Sequence, residues 1–167
     1  MTKLLAIIKK LPVLSHLLLY LWQKWHNGKK VKFCYSTHIS YRCGFEGMNM
    51  VGPHTDFFGF LGYGSYIGGD GIVSAEVGRF TSIGPNCRYI NATHAYKAPF
   101  ATTCPLFFSK SNGNNPRGKT FASEQMIEEF KFYDKARELV NKIGNDCWLG
   151  SNVTLIGGVE IHDGAVV

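Results

Sequence analysis

The sequence predicts an all-β fold: a parallel β-helix wound from hexapeptides, with a helix before it and one long loop extruded from the coil. Three observations predict it. Apolar residues recur every six positions, glycine follows that anchor unusually often, and the fourth residue after the anchor is small or β-branched. The interval holds without a slip through Ile143, Leu149, Leu155, Ile161 and Val167. It also holds through Phe33, Ile39, Phe45, Val51 and Phe57, through Leu61, Ile67 and Val73, and through Val77, Ile83 and Tyr89. The register slips twice, from Phe57 to Leu61 and from Val73 to Val77.

Glycine follows the anchor in seven of fifteen repeats (Gly52, Gly62, Gly68, Gly78, Gly84, Gly144 and Gly150), against 19 glycines in the 167 residues of the chain. The fourth position holds Thr37, Cys43, Thr55, Ser65, Thr81, Cys87, Thr93, Cys147, Val153 and Ala165. A period of six fits neither a helix nor a long alternating strand. It fits a short strand and a turn repeated around a triangular coil, with the anchor pointing inward and the small residue where the wall narrows. Glycine is expected there because it accepts turn conformations that a side chain resists. Stacked coils pair their backbones with the coils above and below, and stability accumulates over neighbouring coils.

Ahead of the repeats, residues 1–32 form an apolar and basic helical segment; the β-helix domain is residues 33–167. Residues 4–22 are strongly apolar apart from Lys9 and Lys10, and Trp22 and Trp25 lie at their end. The uncharged run after Lys10 is too short for a spanning helix, which needs roughly 20 residues. No small-residue cleavage site follows, which argues against a signal peptide. Two readings stand side by side: peripheral membrane contact through residues 4–25, and a helix that covers the first coil or packs against a neighbouring subunit.

The net charge of +6 fits an anionic ligand, a membrane surface or nucleic acid without choosing among them. Lys3, Lys9, Lys10, Lys24, Lys29, Lys30 and Lys32 supply seven of the eighteen basic residues, beside an apolar run and in no known nucleic-acid motif, so no nucleic-acid partner is expected. The five cysteines, an odd number with no CxxC, indicate neither a zinc site nor a disulfide framework and fit reduced thiols in the cytoplasm.

The period breaks at His94 and resumes at Ile143, so residues 95–142 are read as extruded. Long excursions in compact domains are usually functional or disordered. This one is apolar near its start, with Phe100 and Phe107-Phe108, and polar over 110–119, where a mobile tip is expected. Residues 123–142 read slightly better as a helix than as a short hairpin.

Residues 77–88 (Val-Gly-Arg-Phe-Thr-Ser-Ile-Gly-Pro-Asn-Cys-Arg) resemble the coil that precedes the active site in hexapeptide-repeat acyltransferases. Residues 143–159, beginning Ile-Gly-Asn-Asp-Cys-Trp-Leu-Gly, are similar to that family's most recognisable coil. Between them, Thr93-His94 followed by Thr103 and Pro105 resembles the catalytic loop of its xenobiotic and polysaccharide O-acetyltransferase branch. The resemblance covers about residues 33–167. It implies a left-handed coil, a homotrimer with active sites between adjacent subunits, and acetyl-CoA as co-substrate. Such proteins continue past a Gly-Ala-Val-Val stretch with further coil and a C-terminal helix, so a chain stopping at Val167 is expected to be truncated or covered by something else.

In this reading His94 is the general base. O-acetyl transfer needs a base for the hydroxyl proton, and imidazole titrates near neutrality. Trp148 at a coil corner suits the pantetheine arm of CoA or a neighbouring subunit, and the resemblance favours the CoA side; Gly150, Gly157 and Gly158 are assigned with it, since they would let a flat cofactor approach the backbone, although turn geometry alone also explains them. Asn91, Tyr96 and Phe100 are candidates for the acceptor. The expected acceptor is a sugar hydroxyl of a surface polysaccharide, with an antibiotic-like alcohol second. The implied location is the cytoplasm, at or near the inner face of the membrane. Two other classes compete. A metal-dependent enzyme of the γ-carbonic-anhydrase type needs a close histidine pair from one chain, and no such pair lies near His94, so no metal is assigned. A non-catalytic β-helix scaffold needs neither the long loop nor the histidine at the break.

Overall fold

The computed structural model describes residues 12–110 and 119–167. They form one helix and a parallel β-solenoid of about seven turns. The helix, α1, is Pro12–Asn27. The strands are β1 (Val31–Lys32), β2 (His38–Ile39), β3 (Gly44–Phe45), β4 (Asn49–Val51), β5 (Asp56–Leu61), β6 (Tyr66–Ile67), β7 (Ile72–Val77), β8 (Ser82–Ile83), β9 (Arg88–Ile90), β10 (Asn141–Ile143), β11 (Trp148–Leu149), β12 (Thr154–Ile156) and β13 (Glu160–Ile161). Every pairing between these strands is parallel. One face stacks β1, β4, β6, β8 and β11; the remaining strands make a second, larger sheet.

The hexapeptide anchors are the core. From Phe33 to Ile161 every one is buried, and eight of them, Val51, Leu61, Ile67, Val73, Val77, Ile83, Ile143 and Leu149, are at 0–1% exposure. Only Val167, in the last turn, is half exposed. Each enclosed anchor contributes about 1.5–3 kcal/mol of apolar burial, which the coil gains only by stacking on its neighbours.

The two slips have a structural cause. Coils whose register runs Val31 to Asn49 or Lys142 to Glu160 advance eighteen residues; those running Met50 to Tyr66 or Asp56 to Ile72 advance sixteen. In the sixteen-residue coils one corner is flattened. β2 and β3, separated by residues 40–43, both pair with the single strand β5, which pairs along its whole length with β7. Gly59 and Ala75 fill the middle of that strand pair, and a Cβ on Gly59 would run into the backbone of Ala75.

The anchor-following glycines serve a different need from the one expected. None of them has positive φ. A Cβ on Gly52, Gly62, Gly68, Gly78 or Gly84 would lie 2.5–2.7 Å from the backbone of the next coil. Close stacking, not turn conformation, excludes the side chain. The left-handed turn position comes just before the small residue and is held mostly by others: His54, Asp70, Phe80, Asn86, Asp146 and Asn152 all have φ between 52° and 65°. Asn and Asp tolerate that region best among non-glycine residues.

At seven of these corners the small residue also donates. Thr37 Oγ1 donates to Gly52 O at 2.9 Å, Thr55 Oγ1 to Gly68 O at 2.9 Å, Ser65 Oγ to Gly78 O at 2.6 Å and Thr81 Oγ1 to Gly144 O at 2.8 Å. Cys43, Cys87 and Cys147 repeat the pattern with Sγ donating to Phe57 O, Gly150 O and His162 O at 3.1–3.2 Å. Each corner thus satisfies a carbonyl of the coil above, which a buried backbone requires. Thr93 is an exception: it lies in the excursion, not at a coil corner.

The helix α1 lies against the first coil through polar atoms. Gln23, 1% exposed, donates Nε2 to Ser40 O at 2.7 Å; Lys24 Nζ donates to Phe33 O at 2.8 Å; His16 Nε2 and Tyr35 O are 2.6 Å apart. Tyr20 packs edge-on against Phe33 and Tyr35. Among the described residues no helix is long and apolar enough to cross a membrane.

Candidate functional site

The excursion leaves from the middle of a strand. Arg88 of β9 is opposite Ile72 of β7, and Asn141–Ile143 of β10 are opposite Ala75–Val77. Carrying the register forward puts Ile90 opposite Ser74, one step before Asn141. Thus β9 and β10 are two halves of one six-residue strand equivalent to β7, cut by residues 91–140. The boundaries differ from the expected 95–142 because β9 ends at Ile90, before His94, and β10 begins at Asn141.

A short antiparallel stem leads to the histidine. Ala92 bridges Phe130; Thr93 N donates to Glu129 O and Lys131 N to Asn91 O, each at 2.8 Å. These bonds explain why 123–142 is not the expected helix. Its backbone groups pair across the stem and in a tight turn, where Asp134 bridges Leu139 antiparallel, rather than four residues back. The hairpin alternative is the better description. The polar tip expected over 110–119 falls almost wholly outside the described residues.

His94 follows the stem and is exposed. Its Nδ1 lies 2.8 Å from Thr103 O. A carbonyl can only accept, so Nδ1 donates and the neutral ring carries its lone pair on Nε2. The ring also meets the edge of Phe108 at 6.0 Å between centroids, and Phe108 is 1% exposed, the centre of the excursion's own small core. A turn of 3₁₀ helix, Pro105–Phe107, carries the chain from Thr103 to that core.

An open cleft of about 220 Å³ is lined by His94, Tyr96, Lys97, Phe100, Ile127, Glu128 and Lys131, with Thr93, Ala95 and Ala98. It therefore joins three of the predicted site residues, His94, Tyr96 and Phe100. Lys97 Nζ sits 5.4 Å from the Tyr96 ring centre. Glu128 pairs with Lys135 at 2.7 Å, and that ammonium holds its carboxyl below the usual range. The sequence reading missed Lys97, Glu128 and Lys131, and named Thr103 only as part of the loop motif, without the role of its carbonyl. That role acts through a carbonyl, which leaves no mark on residue type; Glu128 and Lys131 reach the cleft only through the stem pairing, and Lys97 by following Tyr96 in the chain.

The remaining predicted residues are elsewhere. Asn91 is at the root of the stem, outside the cleft lining, with its carbonyl bonded to Lys131. Trp148, 60% exposed, is on β11 in the other sheet, beside Ser82 and Val166. Gly150 follows it, with open space where a Cβ would stand except for Val167 O at 3.4 Å. Gly157 and Gly158 are placed differently from the open cofactor surface expected. Gly157 N donates to Ile90 O at 2.7 Å and Gly158 N to Val140 O at 2.8 Å, the carbonyls at the exit and re-entry of the excursion. The Lys131 carbonyl fills the space a Cβ on Gly157 would occupy, and Gly158 has φ +84°. These two glycines seal the root of the excursion, and their own chain covers the backbone at Gly157.

Among the described residues no three His, Cys, Asp or Glu side chains converge as a metal site would require. All five cysteines are free thiols, and burial pushes Cys43 up to about 11. A comparison with known protein families finds none that matches the chain, and no curated protein is similar to it.

Proposed function

We propose that the protein is an acyltransferase that moves an acetyl group from acetyl-CoA to a hydroxyl of a sugar, with His94 as general base. One observation carries the reading: the Thr103 carbonyl commits the Nδ1 proton, which leaves Nε2 as the basic atom of an exposed imidazole lining a cleft. A base must lie within hydrogen-bond reach of the proton it takes and hold the right tautomer. The resemblance of residues 77–88 and 143–159, and of Thr93-His94 with Thr103 and Pro105, to hexapeptide-repeat O-acetyltransferases supports the same chemistry.

In this reading the acceptor hydroxyl gives its proton to His94 Nε2 as its oxygen attacks the thioester carbonyl. The tetrahedral adduct collapses, the carbon–sulfur bond breaks, and the thiolate takes the proton back from the imidazolium. No covalent acyl-enzyme is needed, and three of the five thiols, Cys43, Cys87 and Cys147, are buried at coil corners. Tyr96 and Phe100 offer flat apolar faces, and Lys97, Glu128 and Lys131 offer polar groups, a mixture suited to a sugar ring. A saccharide of a surface polysaccharide, modified in the cytoplasm where acetyl-CoA is made, is the acceptor we favour.

Trp148 with Gly150 fits the acyl donor by its chemistry, since an exposed indole beside a backbone without a Cβ suits a long, partly apolar arm. It projects from a different sheet than the excursion that carries His94. We therefore place the complete site between copies of the chain, in a homotrimer. The test is acetyl transfer from acetyl-CoA across a panel of sugar acceptors, read by mass spectrometry. His94→Ala is expected to lower transfer by about 10²–10⁴-fold with an unchanged melting temperature, because the ring is exposed. Undiminished transfer by that variant ends the proposal.

A further inference from the structure

We infer that α1 is a membrane-surface anchor whose outward face enters the headgroup region of an anionic bilayer. The helix sits on the solenoid the wrong way round for a globular protein. At 100° per residue, Leu14, Leu17, Leu18, Leu21, Trp22 and Trp25 occupy about 140° of its surface, and all six are exposed, Trp25 at 82%. The side turned to the first coil carries His16, Tyr20 and Gln23, with Lys24 at its edge; His16, Gln23 and Lys24 are hydrogen-bonded to that coil's backbone and Tyr20 packs against Phe33 and Tyr35. Amphipathic helices normally bury the apolar stripe. Here a mixed polar and aromatic stripe is docked while the leucine and tryptophan stripe faces outward, and a patch this continuous marks an interaction surface.

Charge selects the occupant. The first acidic residue of the chain is Glu46; before it stand Lys3, Lys9, Lys10, Lys24, Lys29, Lys30, Lys32 and Arg42. The other 122 residues carry ten basic and twelve acidic side chains, so the whole positive excess belongs to the end that carries α1. Lys29, Lys30 and Lys32 are exposed just beyond the helix. A second copy docked face to face would bring two such clusters together with no acidic partner nearby. An anionic lipid surface accepts both the leucines and the lysines, and tryptophan favours the interface. A helix of 16 residues is about 24 Å long, which suits lying in the interface plane. The inference does not depend on acyl transfer.

The full chain, mixed with vesicles of phosphatidylcholine and phosphatidylglycerol at low salt, is expected to co-sediment and to leave pure phosphatidylcholine largely unbound. Each lysine near the surface strengthens binding about fivefold, so Lys29→Glu with Lys30→Glu lowers it at least about 25-fold. Leu18→Glu with Leu21→Glu abolishes binding while the far-ultraviolet circular dichroism stays that of the parent. Brominated phosphatidylglycerol gives a second readout that leaves the fold intact: it quenches the tryptophan fluorescence, and Trp22→Phe with Trp25→Phe removes that quenching. Wild-type protein that ignores anionic vesicles, or binds equally well with the glutamate pair in a folded chain, overturns the inference. So does a wild type whose tryptophans are not quenched while the glutamate pair shrinks its oligomer in sedimentation velocity, which would make the face a contact between copies.

Discussion

Glycine carries two distinct duties in this chain, and substitution separates them. Gly78 has an ordinary φ, but an added Cβ would stand 2.6 Å from the carbonyl carbon and oxygen of Gly144. Backbone cannot swing aside as a side chain can, so Gly78→Ala is expected to cost about 3 kcal/mol and lower Tm by roughly 6–12 °C. Gly164, with φ +72° and nothing within 4 Å of the site of its Cβ, meets no such obstacle. Gly164→Ala costs only about 1 kcal/mol of left-handed strain. Calorimetry of the two variants checks the order. The sequence identifies both as glycines of a repeat without distinguishing them, because a close approach and a positive φ leave the same letter. The same ambiguity made Gly157 and Gly158 look like open cofactor surface when they hold the root of the excursion. His94 was legible for the opposite reason: it stands beside the break in an otherwise regular period.

Among the elements, corner bonds add to size in what the repeat holds at its fourth position, where Val153 and Ala165 meet the size requirement alone. Thr81 Oγ1 donates to Gly144 O at 2.8 Å and receives Cys147 N at 3.1 Å, at 1% exposure. Thr81→Val keeps the shape and orphans both groups, an expected loss of about 2–3 kcal/mol, visible as a lower urea midpoint with unchanged slope. Cys147→Ser, which replaces one donor by another, is expected to change the midpoint far less. Anchors could be read from sequence because burial selects residue type directly. The return arm of the excursion could not. Phe130, Phe132 and Tyr133 satisfy helix and strand patterns alike, and the partner that settles their backbone, Asn91–Thr93, is some forty residues away. The two slips in register were visible as shifted anchors; that they flatten a corner needs the pairing of β5 with both β2 and β3.

On the scale of the molecule, charged side chains bind coils that are not neighbours. Arg79 meets Glu46 at 2.7 and 3.0 Å across an intervening coil whose Tyr63 N–H donates to the same carboxylate. The Arg79 guanidinium, with that N–H, holds Glu46 down to about 2 from its ordinary 4.5. A depressed carboxyl stabilises the fold fully above its ordinary value and ceases to do so as the pH falls through the lower one. Wild type is therefore expected to melt above Glu46→Gln at neutral pH, and the gap is expected to close between about pH 4.5 and 2.

The severed strand has a wider consequence. Ile90 and Asn141 occupy consecutive places along β7, so fifty residues of chemistry are hung from a wall that would be continuous without them. Whatever replaces that appendage meets the same two anchoring points and asks nothing new of the scaffold. If the excursion carries the site as proposed, descent with change is nearly free to rewrite it while inheriting, untouched, the frame that holds it.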